Sequence, residues 1–458
     1  MTDFFFAALP IVLLVYVMTK RRAMPSTVAF ALAAAVAYGI QFLVFRTSFN
    51  LLNAAVIAGL LNALTPISIV FGAILFFVAM ERSGAMDVLR EWLRGISANP
   101  VAQLMVVGWS FQFLIEGSSG FGTPAALAAP MLVGLGFPPM RATVLCLVMN
   151  SIPVSFGAVG TPTWFGFGGL DLAPEQVLAL GRKTAVLQTA ASLLIPVIAL
   201  RFVVGWSEIR ANLVFIYGSI LANVLPMLAV ATVNDEFPSV IGGSVGLIVT
   251  ILLARCRFGL ARTRATDVDV PTGSLLTAPV LAALAPLIAT IAILLITRVP
   301  WIGLRQWLTS DRPILEVSLG ALGNLEISSS LVVGLRDILG EGLAWTHAVL
   351  YVPSIVPFVI TGAFALVLFR SGGAAGAVVR ETLHQIRRPV LALLGALVFV
   401  QILMVGGERA STLILGNALA DAAGGGWIYL APFLGALGSF FSGSATISNL
   451  TFGGIQYS

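Results

Sequence analysis

Glu116 closes the apolar run VAQLMVVGWSFQFLI and opens EGSSGFGT, which gathers a carboxyl group and the hydroxyls of Ser118, Ser119 and Thr123 within eight residues. Asn150 sits among apolar residues in LCLVMNSIPVSFGAVGTP, and FFSGSATISN near the C-terminus brings together Ser442, Ser444, Thr446, Ser448 and Asn449. Hydroxyl and amide groups can bond a small anion without adding fixed charge. A carboxyl group inside apolar sequence can take up and release a proton, whereas its ionised form costs from about 3 to over 10 kcal/mol at the centre of a bilayer. Anion ligation by the polar clusters and proton carriage by Glu116 are therefore the chemistry these residues suit. Each residue also has a plainer role. Glu116 could cap backbone N–H groups without titrating, and a lone Ser or Thr often bonds the backbone of its own or a neighbouring membrane helix. The clusters carry the reading as sets, not residue by residue.

The elements that must position these groups follow from composition. Of 458 residues, 58% are hydrophobic and 10% charged, where a soluble domain carries about a quarter charged residues. Apolar runs of about 17 to 25 residues recur, each long enough to cross roughly 30 Å of hydrocarbon as a helix. The expected class is an all-α polytopic membrane protein. Ten spans are expected: Phe4–Met18, Ala23–Phe45, Leu61–Met80, Ala142–Gly160, Lys183–Val203, Ala211–Val233, Val240–Ala254, Leu275–Val299, His347–Phe369 and Val390–Val405. The first lacks a preceding basic stretch and a small-residue cleavage site, so it reads as a span and not a removable signal. Placing Lys20, Arg21 and Arg22 in the cytoplasm puts 17 of the 25 basic residues inside, including those of the turn with Arg255, Arg257, Arg262 and Arg264, as the positive-inside rule requires.

The net charge of +5 is explained by these turns, and no nucleic acid partner is expected. Cys146 and Cys256 leave neither a disulfide framework nor a metal-ligand spacing, so no metal and no cofactor is expected. HExxH and GK[ST] motifs are absent, which leaves an ion gradient as the energy source. The outer stretch Pro300–Trp345 mixes acids with apolar patches and reads as an interfacial helix pair or as something deeper.

Two segments do not behave as ordinary spans. Residues 101–136 consist of two apolar arms of about 14 or 15 residues, each near 21 Å as a helix and too short to cross, joined at Glu116–Gly122. Residues 427–458 repeat the design, with the break at Ser442–Asn449. Non-helical backbone is tolerated at membrane depth only in protein or beside a wet cavity, so both read as re-entrant hairpins. Seven expected spans separate them, and an odd number makes them enter from opposite sides. An N-terminal repeat, 1–254, and a C-terminal repeat, 275–458, of inverted topology are the expected organisation, with the site at the hairpin tips. Helix N-termini at such tips suit an anionic group. Pro153, Gly157, Gly160 and Pro162 predict an interrupted helix beside the first hairpin. Only nine residues follow Asn449, where roughly 14 are needed to return to the membrane face, so the second hairpin is expected to be incomplete.

The stretch EGSSGFGTPAALAAPMLVGLGFPPMRATVLCLVMNSIPVSFGAVGTP, Glu116–Pro162, resembles the signature region of the lactate permease family, and FLGALGSFFSGSATISNLTFGGIQ, Phe433–Gln456, resembles that family's second conserved segment. The resemblance implies a proton-coupled carrier of lactate, glycolate and related 2-hydroxy monocarboxylates in the plasma membrane, a bacterial inner membrane. It also implies the ion-transporter group, whose paired hairpins move as an elevator. Glu116 would then be the coupling group. Ser118, Ser119, Thr123, Asn150, Ser442, Ser444, Thr446, Ser448 and Asn449 would be candidate ligands of the substrate, and the partners would be the organic anion, protons and the lipid bilayer, with a homo-oligomer left open. Asn150 serves equally well to tie two helices together. Arg409 beside Glu408 reads as an interfacial salt bridge, and His347 and His384 as surface groups.

Two alternatives stay open. Sodium coupling, or a different small organic anion, would use the same hairpin oxygens. From another class, Gly117-Ser118-Ser119-Gly120 fits a GxSG protease pattern with Ser119 as nucleophile and His347 as base, although this leaves the second hairpin without a purpose. No catalytic residue is assigned.

Overall fold

The computed structural model describes the chain apart from Met1, Asp171, residues 262–275, residues 299–301 and Ser458. The expected turn residues Arg262 and Arg264, and the expected boundaries Leu275, Val299 and Pro300, lie outside the described residues. Within them are eight helices long and apolar enough to cross a membrane, or nine when the bent pair Pro139–Met149 and Pro153–Trp164 is taken as one span. The fold is all-α and polytopic, with one small sheet. The chain forms two compact units: Met1–Ile74, Ala292–Ile360 and Val379–Ser458 in the first, Leu75–Ile291 and Thr361–Val378 in the second.

In the first unit, Ser48 caps the helix Phe49–Asn62 by accepting from Leu51 N at 3.1 Å. That helix continues almost directly into Leu64–Arg82, so the span expected from Leu61 is the later part of a 34-residue apolar stretch. Four strands, β1 (Pro313–Ser318), β2 (Asn324–Ser328), β3 (Val332–Ile338) and β4 (Leu343–Ala348), form an antiparallel meander in sequence order. Leu325 pairs with Leu335 and Leu335 with Trp345. Leu335, Ile338 and Trp345 pack on Ala54 and Ala58 of the helix Phe49–Asn62, whose methyl side chains let the strands approach. The outer stretch is therefore a sheet and not a helix pair.

The sheet also shortens the span expected at His347–Phe369. His347 belongs to β4, and helix begins only at Ile355, with a π-helical turn to Val359 that runs into Ile360–Leu368. Pro353 and Pro357 lack the N–H donors that an earlier start would need. Helix Ser411–Ala423 precedes the second hairpin, Trp427–Ser442 and Ala445–Tyr457.

The second unit begins with an amphipathic helix, Ala85–Arg94, whose Arg90 pairs with Glu81 and Asp87, each at 2.8 Å. Asn99 caps the next helix by accepting from Val101 N at 2.9 Å, with Pro100 at its first position. This helix runs without interruption to Ser119, with π-helical geometry over Leu104–Phe111. It turns at Gly120–Gly122 and returns as Thr123–Gly134. Helices Leu213–Ala231 and Pro238–Arg255 flank it. Close approach is built from glycine here: a Cβ at Gly117 would lie 2.5 Å from Ser239 C, and one at Gly243 would overlap the Leu114 backbone.

Candidate functional site

The first hairpin has its break three residues later than the sequence suggests. Glu116, Ser118 and Ser119 complete the last turn of the ascending helix, and only Gly120, Phe121 and Gly122 are non-helical, all with positive φ. Thr123 starts the return helix. The tip thus presents a helix C-terminus carrying Glu116 and a helix N-terminus carrying Thr123, and the latter favours negative charge.

Glu116 is 2% exposed. Its Oε2 accepts from Asn150 Nδ2 at 3.0 Å. Asn150 Oδ1 in turn accepts from Gln112 Nε2 at 3.1 Å, and the same Nε2 donates to Cys146 O at 2.6 Å. Gln112 lies one helical turn before Glu116, on the same face. A chain of amides therefore leads from Gln112 through Asn150 to the carboxyl group. Glu116 Oε1 fits against Gly157, where a Cβ would overlap it. Among the described residues no cationic side chain pairs with Glu116.

Asn150 reaches Glu116 because the helix that carries it stops. Pro139–Met149 and Pro153–Trp164 meet at 62°, and within the second piece Ala158, Val159 and Gly160 have φ of 45°, 55° and 72°. Left-handed backbone costs roughly 1–2 kcal/mol for a residue with a Cβ, and is a genuine outlier at branched Val159. Trp164 Nε1 donates to Val159 O at 2.9 Å and Thr161 Oγ1 to Ala158 O at 2.5 Å. Gly120 of the hairpin tip packs on Ala158, 3.0 Å from where its Cβ would be. Strain of this kind, held by surrounding bonds, is typical of functional sites. The interrupted helix expected from GAVGTP is thus present beside the first hairpin.

The hydroxyls at this tip are mostly engaged locally. Ser118 Oγ donates to Leu114 O and Ser119 Oγ to Ile115 O, both at 2.9 Å. Ser119 and Thr123 hydroxyls lie 2.5 Å apart, and Thr123 Oγ1 is 2.7 Å from Gly120 O. The structure therefore joins Glu116, Asn150, Ser119 and Thr123 around one tip, with Ser118 turned to its own helix.

The second hairpin lies in the first unit. Its turn is Gly443–Ser444, with φ of +64° at Gly443, so Thr446, Ser448 and Asn449 sit on the return helix and not in the break. Ser442 Oγ accepts from Ser444 N at 3.2 Å, and Ser444 Oγ accepts from Ile447 N at 3.3 Å. Ser448 Oγ donates across to Gly435 O at 2.8 Å and Gln456 Nε2 to Ala431 O at 2.6 Å, clamping the two arms. Thr446 is buried. A Cβ at Gly438 would lie 2.5 Å from Ser448 Oγ.

Sequence reasoning missed Gln112 and Gly157. The signal for Gln112 was its four-residue spacing from Glu116 in an otherwise apolar arm. Gly157 had no comparable signal, because its role is only to leave room for a side chain from a distant segment.

A profile of the L-lactate permease family matches residues 3–458. A Haemophilus influenzae protein provisionally named an L-lactate permease is 45% identical over 459 residues, covering 100% of this chain and 86% of that protein. The chain belongs to the L-lactate permease family. The permease is also 27% identical to an L-lactate permease of Salmonella typhi, over 98% of this chain and 82% of that protein. It is 26% identical to the glycolate permease GlcA of Escherichia coli, over 91% and 76% respectively. No solved structure matches it. It is a multi-pass plasma membrane transporter and not an enzyme. The protease reading falls with this. Ser119 is bonded as described, and His347 Nδ1 lies 3.0 Å from Thr65 Oγ1 with its ring stacked on Trp345.

Proposed function

We propose that this permease imports lactate, glycolate and related 2-hydroxy monocarboxylates by proton symport, with Glu116 carrying the proton. The observation that carries the coupling half is a buried carboxyl group bonded by an amide, with no cation beside it among the described residues. Such a group is stored at least cost as the neutral acid, and a proton is the natural counter-species to a carboxylate substrate. The substrate half is supported by the family and by relatives whose names are lactate and glycolate permeases. It is also supported by two tips at which helix N-termini, Thr123–Gly134 and Ala445–Tyr457, begin beside hydroxyl groups.

Asn150 orients the carboxyl group, Gln112 orients Asn150, and Thr123, Ser119 and the Ser442–Asn449 cluster offer neutral donors to the anion. The test is uptake of labelled lactate and glycolate into proteoliposomes under an inward proton gradient alone and an inward sodium gradient alone. Uptake driven by the proton gradient, and its loss in Glu116→Gln with retained counterflow, is the expected result. Uptake driven by sodium alone, or uphill proton-driven uptake preserved in Glu116→Gln, refutes the coupling assignment. No 2-hydroxy acid uptake under either gradient refutes the substrate.

A further inference from the structure

The second unit contains a cavity of about 390 Å³, within the size range of ligand sites. Its floor is Leu89 and Leu93 of the amphipathic helix, Phe111 and Leu114 of the ascending hairpin arm, and Leu247 and Ile251 of the helix Pro238–Arg255. Its rim is Ile248, Leu252 and Ile288, which are largely turned outward, with Ile248 61% and Ile288 57% exposed. Ser244 brings a hydroxyl, but this donates to Val240 O at 2.7 Å. The slot offers hydrocarbon contact and opens sideways, where the hydrocarbon of the bilayer lies.

One end of the slot is marked by charge. Asn99 Nδ2 donates to Ala261 O at 3.4 Å and to Asn212 Oδ1 at 3.2 Å, which brings the foot of the hairpin arm beside the chain that leaves helix Pro238–Arg255. Arg94, Arg255 and Arg257 gather at this end. Arg94 donates to Gly134 O at 2.6 Å and to Glu91 Oε2 at 3.4 Å, with its side chain half exposed. The chain's own connecting sequence, RTRATDVDVPTGS over residues 262–274, has no two adjacent aliphatic residues and so lacks the apolar run that would suit the slot.

We propose that this cavity seats one acyl chain of an anionic phospholipid, with its headgroup at Arg94, Arg255 and Arg257. The match is of shape and charge together: an apolar slot open to lipid, ending in guanidinium groups where a phosphate would lie. The chain contacts Phe111 and Leu114, and Leu114 is two residues from Glu116 and backed by Gly243. A bound lipid therefore braces the hairpin arm.

The test uses the full chain in phosphatidylcholine vesicles carrying a trace of phosphatidylglycerol or phosphatidylcholine with a diazirine near the acyl terminus. After illumination, the phosphatidylglycerol probe is expected to label peptides containing Leu114 and Ile251 at least about fivefold more than the phosphatidylcholine probe. Leu284→Trp, which fills the slot, is expected to remove this labelling. Arg94→Gln, on the exposed side of its helix, is expected to cut the headgroup preference about fivefold, the effect of one surface cation. Equal labelling by both probes, labelling confined to other lipid-facing helices, or labelling unchanged in folded Leu284→Trp overturns the site. If Leu284→Trp does not fold, an unchanged headgroup preference in Arg94→Gln overturns it alone.

Discussion

Gly157→Ala probes the seating of Glu116 with a single methyl group. Gly157 has φ −66° and ψ 158°, a conformation open to any residue, so alanine adds no backbone strain. Its Cβ would instead overlap Glu116 Oε1. The carboxyl group cannot simply swing aside, because Oε2 is held by Asn150 at 3.0 Å and the helix is locked against Ser239 at Gly117. Overpacking of this kind costs about 1–3 kcal/mol, or roughly 5- to 150-fold in the population of the seated tip. At about 2–4 °C per kcal/mol for a unit of this size, the melting temperature should fall by roughly 2–12 °C, with lactate uptake falling in parallel. Glu116→Asp withdraws the carboxyl group by one methylene. In the Gly157→Ala background it should restore part of the loss, with a coupling of at least about 1 kcal/mol in a double-mutant cycle of melting. A Gly157→Ala protein that melts and transports as the wild type does, or a cycle in which the two changes simply add, refutes the packing of Glu116 against Gly157.

Removing the amide chain should act more weakly than removing the acid: Gln112→Leu leaves Asn150 with its bond to Glu116, and uphill uptake should drop several-fold where Asn150→Leu drops it by about tenfold or more. Ser118→Ala should keep uptake within about twofold, because that hydroxyl serves Leu114 O, and a larger loss measured in proteoliposomes would make it a ligand. Gly438→Ala should separate the arms of the second hairpin and lower its melting temperature, an effect read by limited proteolysis near Gly443. His347 lies on β4, outside the membrane-spanning helices, and burial pushes its imidazole below the usual histidine range. The unfolded chain then takes up a proton below about pH 6.5 that the folded sheet refuses, so stability is full above that pH and is lost as pH falls. Hydrogen exchange of the sheet should accelerate between pH 7.5 and 5.5, and His347→Gln should flatten that dependence.

The hairpins were legible because a polar or glycine break inside apolar sequence has few stable meanings at membrane depth. The same logic located Glu116, Asn150 and the broken helix at GAVGTP. Three features were not legible. The arm Pro100–Ser119 is longer than the expected 15 residues because Glu116, Gly117, Ser118 and Ser119 stay helical, their hydroxyls bonding back to the preceding turn and leaving only Gly120–Gly122 to make the break. The sheet at Pro313–Ala348 was hidden because its strands are short. The alternation that marks β2 and β4, in NLEIS and LAWTHA, was read as apolar patches among acids. The helix Ser411–Ala423 follows glycines and a charged pair that resemble a loop, and its 13 residues are too few to announce a span. Contacts such as Gly157 against Glu116 join residues 41 positions apart, and no local pattern reports them.

The π-helical stretch at Leu104–Phe111 has a further consequence for how this arm tolerates change. A π turn holds more residues than an α turn, and everything beyond it is set in phase by that surplus. Losing one residue there would let the stretch relax to α geometry and rotate the rest of the arm by about 100°, carrying Gln112 and Glu116 away from Asn150 while leaving every side chain in place. Substitutions among these aliphatic residues exchange one apolar surface for another, but a single-codon deletion would misaim the acid. In this segment it is the number of residues, more than their identity, that descent has to preserve.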